Sequence, residues 1–164
     1  MSHMKQRITV TCPLAQGAKR LRSILAERGS ADGDSAKLDL RIAVSVPGLQ
    51  TPLTIERSVI ATIQHDRTPG DMTPRFKVQW APEIPGPFPL FTGELAIEAA
   101  DDYDTFTLSL TGDYTPPLGF VGKGFDIAVG NHIAQATASD LLHRLRDQIE
   151  RQFRADEARK PQPA

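Results

Sequence analysis

Between Leu38 and Leu110 apolar residues recur at every second position in five separate runs, and this repetition restricts the chain to sheet architectures with one buried face. Leu38, Leu40, Ile42, Val44 and Val46 alternate with Asp39, Arg41, Ala43 and Ser45, and Pro47-Gly48 closes the run as a turn. Leu53, Ile55, Val59, Ala61 and Ile63 form the next run, followed by Phe76, Val78 and Trp80, by Phe91, Leu95 and Ile97, and by Phe106, Leu108 and Leu110. Strands so close in sequence are joined by hairpins, which makes the sheet antiparallel. Residues 66–74 and the Asp101-Asp102 pair supply turns, and Pro82, Pro85, Pro87 and Pro89 form a stiff connection because proline has no amide to give to a ladder. An earlier alternation at Ile8, Val10 and Cys12 adds a sixth strand.

A sheet with one apolar face must bury that face against another element. From Asp126 to about Arg154 the apolar period changes to that of a helix, with Ile127, Ile133, Ala134, Leu141, Leu145, Ile149 and Phe153 on one side and Arg144, Asp147, Arg151 and Arg154 largely on the other. Pairs such as Asp147 with Arg151 would support that solvated face. A short helical segment from Ala18 to Arg28, stopped by Gly29, and a loop over residues 30–36 complete the order. The expectation is an α+β fold, a curved antiparallel sheet of about six strands wrapped around a long C-terminal helix. Residues 5–155 form a single domain, residues 1–4 read as a cloning remnant, and residues 156–164, with Pro161 and Pro163, read as a flexible tail.

Composition excludes several partners. Nineteen Lys and Arg against twenty Asp and Glu leave a net charge of -1, so no basic field attracts nucleic acid or an anionic membrane. No apolar run approaches the roughly 20 residues of a membrane span, and the N-terminus lacks a signal-peptide core. The single cysteine, Cys12, precludes an internal disulfide and a multi-cysteine metal site, which suits a cytoplasmic location. With no general base in sequence reach, Cys12 reads as an inert buried thiol. His132 and His143 lie three helical turns apart and do not share an ion, so no metal is expected. Gly119-Phe-Val-Gly-Lys-Gly124 has neither of the phosphate-loop spacings, and no cofactor is expected.

From about Arg7 to Phe153 the element order resembles the START/SRPBCC superfamily, the helix-grip fold of birch-pollen-allergen, lipid-transfer and polyketide-cyclase proteins. The most specific stretch is Leu110-Thr-Gly-Asp-Tyr-Thr-Pro-Pro-Leu-Gly-Phe-Val-Gly-Lys-Gly-Phe-Asp126, similar to the last strand, Pro/Gly-rich turn and helix start of bacterial cyclase-like members. The resemblance implies a cavity between sheet and helix that takes an apolar or amphipathic small molecule. The short helical segment after the first strand departs from the family pattern of two helices in the cavity wall, which argues against a large closed pocket.

Within this frame the informative anomalies are polar residues in phase with apolar ones. Counting by twos from Leu53 places Arg57 and His65 on the same face as Ile55, Val59, Ala61 and Ile63. On that face Arg57 would hold a ligand carboxylate or enolate and His65 would act as acid, base or donor; a bulge or a strand-end position would instead turn them to solvent. Trp80 and Tyr114 are in phase with apolar neighbours and each carries an apolar body with a polar tip, suited either to stack on a ligand and give one hydrogen bond or to fill the core. The expected function is binding of a small hydrophobic or amphipathic ligand such as a lipid, quinone or polyketide. The alternatives are a cyclase, dehydratase or isomerase, in which His65 moves a proton and Arg57 stabilises an enolate, and a protein-interaction module or homodimer with a filled core.

Overall fold

The computed structural model describes residues 2–27, 35–46, 53–66, 73–84, 90–115 and 126–161, with side chains described for all of these except 35–46, 53–59, 66 and 126–130. The elements are β1 (Ser2–Val10), α1 (Leu14–Glu27), β2 (Ser35–Val46), β3 (Leu53–Asp66), β4 (Arg75–Pro82), β5 (Leu90–Ala99), β6 (Phe106–Thr115) and α2 (Asp126–Arg159). They form the expected α+β arrangement: one six-stranded sheet in the order β1-β6-β5-β4-β3-β2, antiparallel throughout, with α2 against it. The turn at Pro47-Gly48, most of the 66–74 turn, Pro85 to Pro89 and the stretch from Pro116 to Gly124 lie outside the described residues.

Strand composition dictates the two faces. In β4, Phe76, Val78 and Trp80 are buried while Arg75, Lys77 and Gln79 are exposed, and the same alternation runs through β5 and β6. The β5–β6 hairpin is closed by Asp102, whose Oδ1 accepts the backbone N–H of Asp104 at 3.0 Å and the Thr105 hydroxyl at 2.9 Å. On the convex face Ser109, itself buried, donates to Glu98 Oε1 at 2.9 Å, and Arg7 donates to Glu98 Oε2 at 2.6 Å, tying β1, β6 and β5 together.

Although consecutive in sequence as strands, β1 and β2 occupy opposite edges of the sheet, and α1 carries the chain between them. Its 14 residues extend about 21 Å, close to the roughly 24 Å spanned by the five gaps of the sheet. The helix starts earlier than the Ala18 expected from its pattern: the Gly17 N–H donates to Pro13 O at 2.8 Å, so the first turn forms directly after Pro13. Gly17 belongs inside this helix for a packing reason. A Cβ there would stand 2.0 Å from Phe106 Cε1, so α1 lies directly on the Phe106 ring.

The C-terminal helix also exceeds its expected length, running to Arg159 with Asp156 and Glu157 inside it rather than in a tail. Arg20 of α1 explains the extension: its guanidinium lies over the Phe153 ring at 5.6 Å and donates to Asp156 Oδ2 at 2.9 Å. Glu150 accepts the Thr11 N–H at 2.8 Å, pinning the same stretch to the end of β1. Ion pairs one turn apart on α2 join Arg144 to Asp140 and Arg154 to Glu150, and Asp147 is held by its neighbour Arg146 instead of by Arg151, the partner its spacing suggests. At the N-terminus, Ser2 to Met4 are strand residues, paired with Tyr114 to Gly112, and Met4 is buried.

Candidate functional site

The concave face is organised in rows across the strands, read from the pairing register. Ala61, Trp80, Phe91, Tyr114 and Ser2 form one row; Ile63, Val78, Gly93, Gly112 and Met4 form the next; His65, Phe76, Leu95, Leu110 and Gln6 form the third. Trp80 and Tyr114 are each 2% exposed, and they share a row with Phe91 between them. The Trp80 and Phe91 rings are stacked, with centroids 4.0 Å apart and planes inclined by 15°.

Two glycines make this stack possible. Cβ atoms on Gly93 and Gly112 would fall 2.4 and 2.7 Å from Phe91 Cζ, so the Phe91 ring folds down onto bare backbone. They would also fall 2.3 Å from Thr111 O and 2.4 Å from Thr92 O, so a side chain at either position meets the neighbouring strand as well. Phe91 and the glycine pair escaped the sequence reading, which treated Phe91 only as a strand residue. The available signal was two glycines in phase with buried positions of adjacent strands.

Trp80 carries a further feature. Its Nε1 is buried and has no hydrogen-bond partner among the described residues. A buried donor left in this state costs about 1–3 kcal/mol.

His65 stands on the same face, half-buried, with its ring stacked on Phe76 at 5.1 Å and 29°. It is four residues along β3 from Ala61, the Trp80 partner, which separates it from the Trp80 row by about 13 Å. Arg57 is opposite Ile42 in the register, and its side chain lies outside the described residues. The structure thus brings Trp80 and Tyr114 together and places His65 two rows away. Cys12 is buried, and burial pushes its thiol pKa up; Arg20 opposes the shift, and Glu150 and Glu157 add to it. His132 and His143 are exposed on α2, with His143 Nδ1 against Ser139 O at 2.6 Å, and no group of three metal-ligating side chains occurs among the described residues. Nor is any helix among those residues long and apolar enough to cross a membrane.

The grip of α2 completes the geometry. Among the described residues its closest backbone approaches are to β1 and β6 at one edge and to β2 at the other. Leu141, Leu142, Leu145 and Ile149 of α2 belong to one buried apolar cluster with Val78, Trp80, Phe91 and Leu95 of the central strands.

No protein-family model matches the chain, and no curated protein matches it. Solved structures do. A conserved protein from Geobacillus kaustophilus superposes with a TM-score of 0.56 at 15% identity, covering 92% of this chain and 96% of that one. A START superfamily protein from Mycobacterium smegmatis matches with a TM-score of 0.48 at 14% identity, over 91% of this chain and 97% of that one. The Zhui aromatase/cyclase from a Streptomyces species matches with a TM-score of 0.46 at 15% identity, over 94% and 97%. With its strand order, its long C-terminal helix against the sheet and a match spanning nearly the whole chain, this protein has the α+β helix-grip fold.

Proposed function

We propose that the protein binds a small hydrophobic or amphipathic molecule between the concave face of the sheet and α2. The observation that carries this reading is a buried polar atom left unpaired in an apolar setting: among the described residues Trp80 Nε1 has no hydrogen-bond partner, and Phe76, Val78, Phe91 and Leu95 of the central strands and Leu141, Leu145 and Ile149 of α2 form one cluster with Trp80. A START superfamily protein and an aromatase/cyclase among the similar structures are in keeping with a site for such molecules. The reading places the protein in the cytoplasm, in keeping with its lone buried thiol.

Binding without turnover is favoured over a cyclase, dehydratase or isomerase. His65 packs on an aromatic ring two rows from the buried polar tips of Trp80 and Tyr114, so proton transfer and substrate anchoring would not meet at one atom. The test is native mass spectrometry of protein purified from its own host, with extraction of any bound compound, alongside titration with N-phenylnaphthylamine. Saturable uptake at one molecule per chain supports the proposal. A ligand-free protein that leaves the probe dark overturns it in favour of an interaction module with a filled core.

A further inference from the structure

Burial strips a polar atom of water, and native interiors return a partner to nearly all such atoms. Trp80 Nε1 receives none among the described residues, although Trp80 is 2% exposed. Its cross-strand neighbours, Ala61 and Phe91, and the next residues on its face, Val78 and Gly93, offer no side-chain oxygen or nitrogen. A phenylalanine would keep a ring against Phe91 without the orphaned N–H, so packing alone does not account for an indole here.

We propose that Trp80 Nε1 is the recognition donor of the site: the molecule held between sheet and helix presents an uncharged oxygen acceptor of the carbonyl class to it. This rests on the ligand-binding reading and adds the ligand's functional group and orientation. The acceptor end sits at the Trp80–Phe91–Tyr114 row, and the apolar body extends toward Phe76 and Leu95. The acceptor is neutral because the side chains described in Trp80's row and the next, from Ala61 and Ile63 to Met4 and Tyr114, include no Lys or Arg. A carboxylate in that setting would be buried without a counter-charge.

Trp80 is the only tryptophan in the chain, so its indole N–H gives a single resonance and its ring a single emission spectrum. The experiment compares fluorenone with fluorene, flat molecules of the same size that differ by one carbonyl oxygen. Fluorenone is expected to bind about tenfold more tightly, the effect of satisfying one buried donor, and to move the indole N–H resonance downfield, whereas fluorene does not. In Trp80→Phe the ratio of fluorenone to fluorene affinity is expected to fall to about one, whatever happens to the affinity for fluorene itself; a ratio still near ten would overturn the donor assignment. Equal affinities with an unmoved indole resonance would overturn the donor assignment and leave the binding site standing. Failure of both probes to bind would overturn the site itself and the assignment with it. The wild-type resonance decides the matter even if the variant does not fold.

Discussion

Substituting Gly17 by alanine sets two well-characterised effects against each other. Inside a helix the change ordinarily stabilises, by about 1 kcal/mol, because glycine is the more costly residue to order. Here the new methyl would lie 2.0, 2.5 and 2.9 Å from Phe106 Cε1, Cζ and Cδ1. Carbon atoms in contact rest about 3.5–4.0 Å apart, so the ring or the helix must retreat by more than 1 Å, beyond what side-chain flexing at a fully buried position supplies. Overpacking of this kind costs about 1–3 kcal/mol and occasionally more. With the clash involving three ring atoms, we take the upper end, and the net is a loss of about 2 kcal/mol after the propensity gain. For a chain of this size that lowers Tm by about 4–8 °C. Thermal and urea unfolding followed by circular dichroism measure it. The same substitution in a Phe106→Leu background, where the ring is gone, should cost measurably less. A Tm at or above wild type, or an undiminished loss beside Leu at position 106, would refute the packing argument.

Other expectations concern the charged and thiol groups. The Glu98 carboxyl is held below the ordinary carboxylate range by the Ser109 hydroxyl hydrogen bond and by the Arg7 charge. Its stabilisation is full above the unfolded pKa of about 4.3 and disappears as pH falls through the lower folded value. Glu98→Gln should cost up to about 1 kcal/mol at neutral pH, limited by solvent screening, and its unfolding curve should converge on wild type in acid; a gap that widens on acidification contradicts the assignment. Asp156→Ala removes the partner of Arg20, whose side chain is 14% exposed against 49% for Asp156. A loss of about 1 kcal/mol is expected for such a half-exposed pair, with faster hydrogen exchange over the last turns of α2; unchanged exchange there would show that Arg20 does not hold the helix end. Cys12 should react with a disulfide reagent at pH 8 at least about 100-fold more slowly in the native protein than in denaturant, and equal rates would rule out its buried placement.

The strands and their alternation were legible because a half-buried strand writes its period directly into the sequence. The long helix was legible for the same reason, and the two together sufficed for the fold. The boundaries missed were those set by contacts between distant residues. Nothing near Asp156 announces that Arg20 will hold it, so a polar, proline-ended stretch reads as a tail. At Pro13 the cue was local, but the apolar spacing of Leu21, Ile24 and Leu25 drew attention downstream. Among the site residues, Trp80 and Tyr114 were visible from phase, and their shared row needed the register of three strands. Phase also put His65 on the inner face, but its distance from Trp80 along β3 was hidden until the pairing with Phe76 and Trp80 was known. The Phe91 ring folding over Gly93 and Gly112 depends on close approach of two backbones, which no single strand encodes.

The strand order also sets a timetable. Every hairpin from β2 to β6 can close as soon as its second strand leaves the ribosome, but β1, the first strand made, has its partner in β6. Pairing Val10 with Phe106, and Ser2 with Tyr114, joins residues 96 and 112 positions apart. At about 5–20 residues per second of synthesis, roughly 5–20 s pass before that partner exists. Throughout that interval β1 has no strand to pair with, although α1 can already lie against β2 and β5, which makes β1 the segment of this domain that a chaperone would hold.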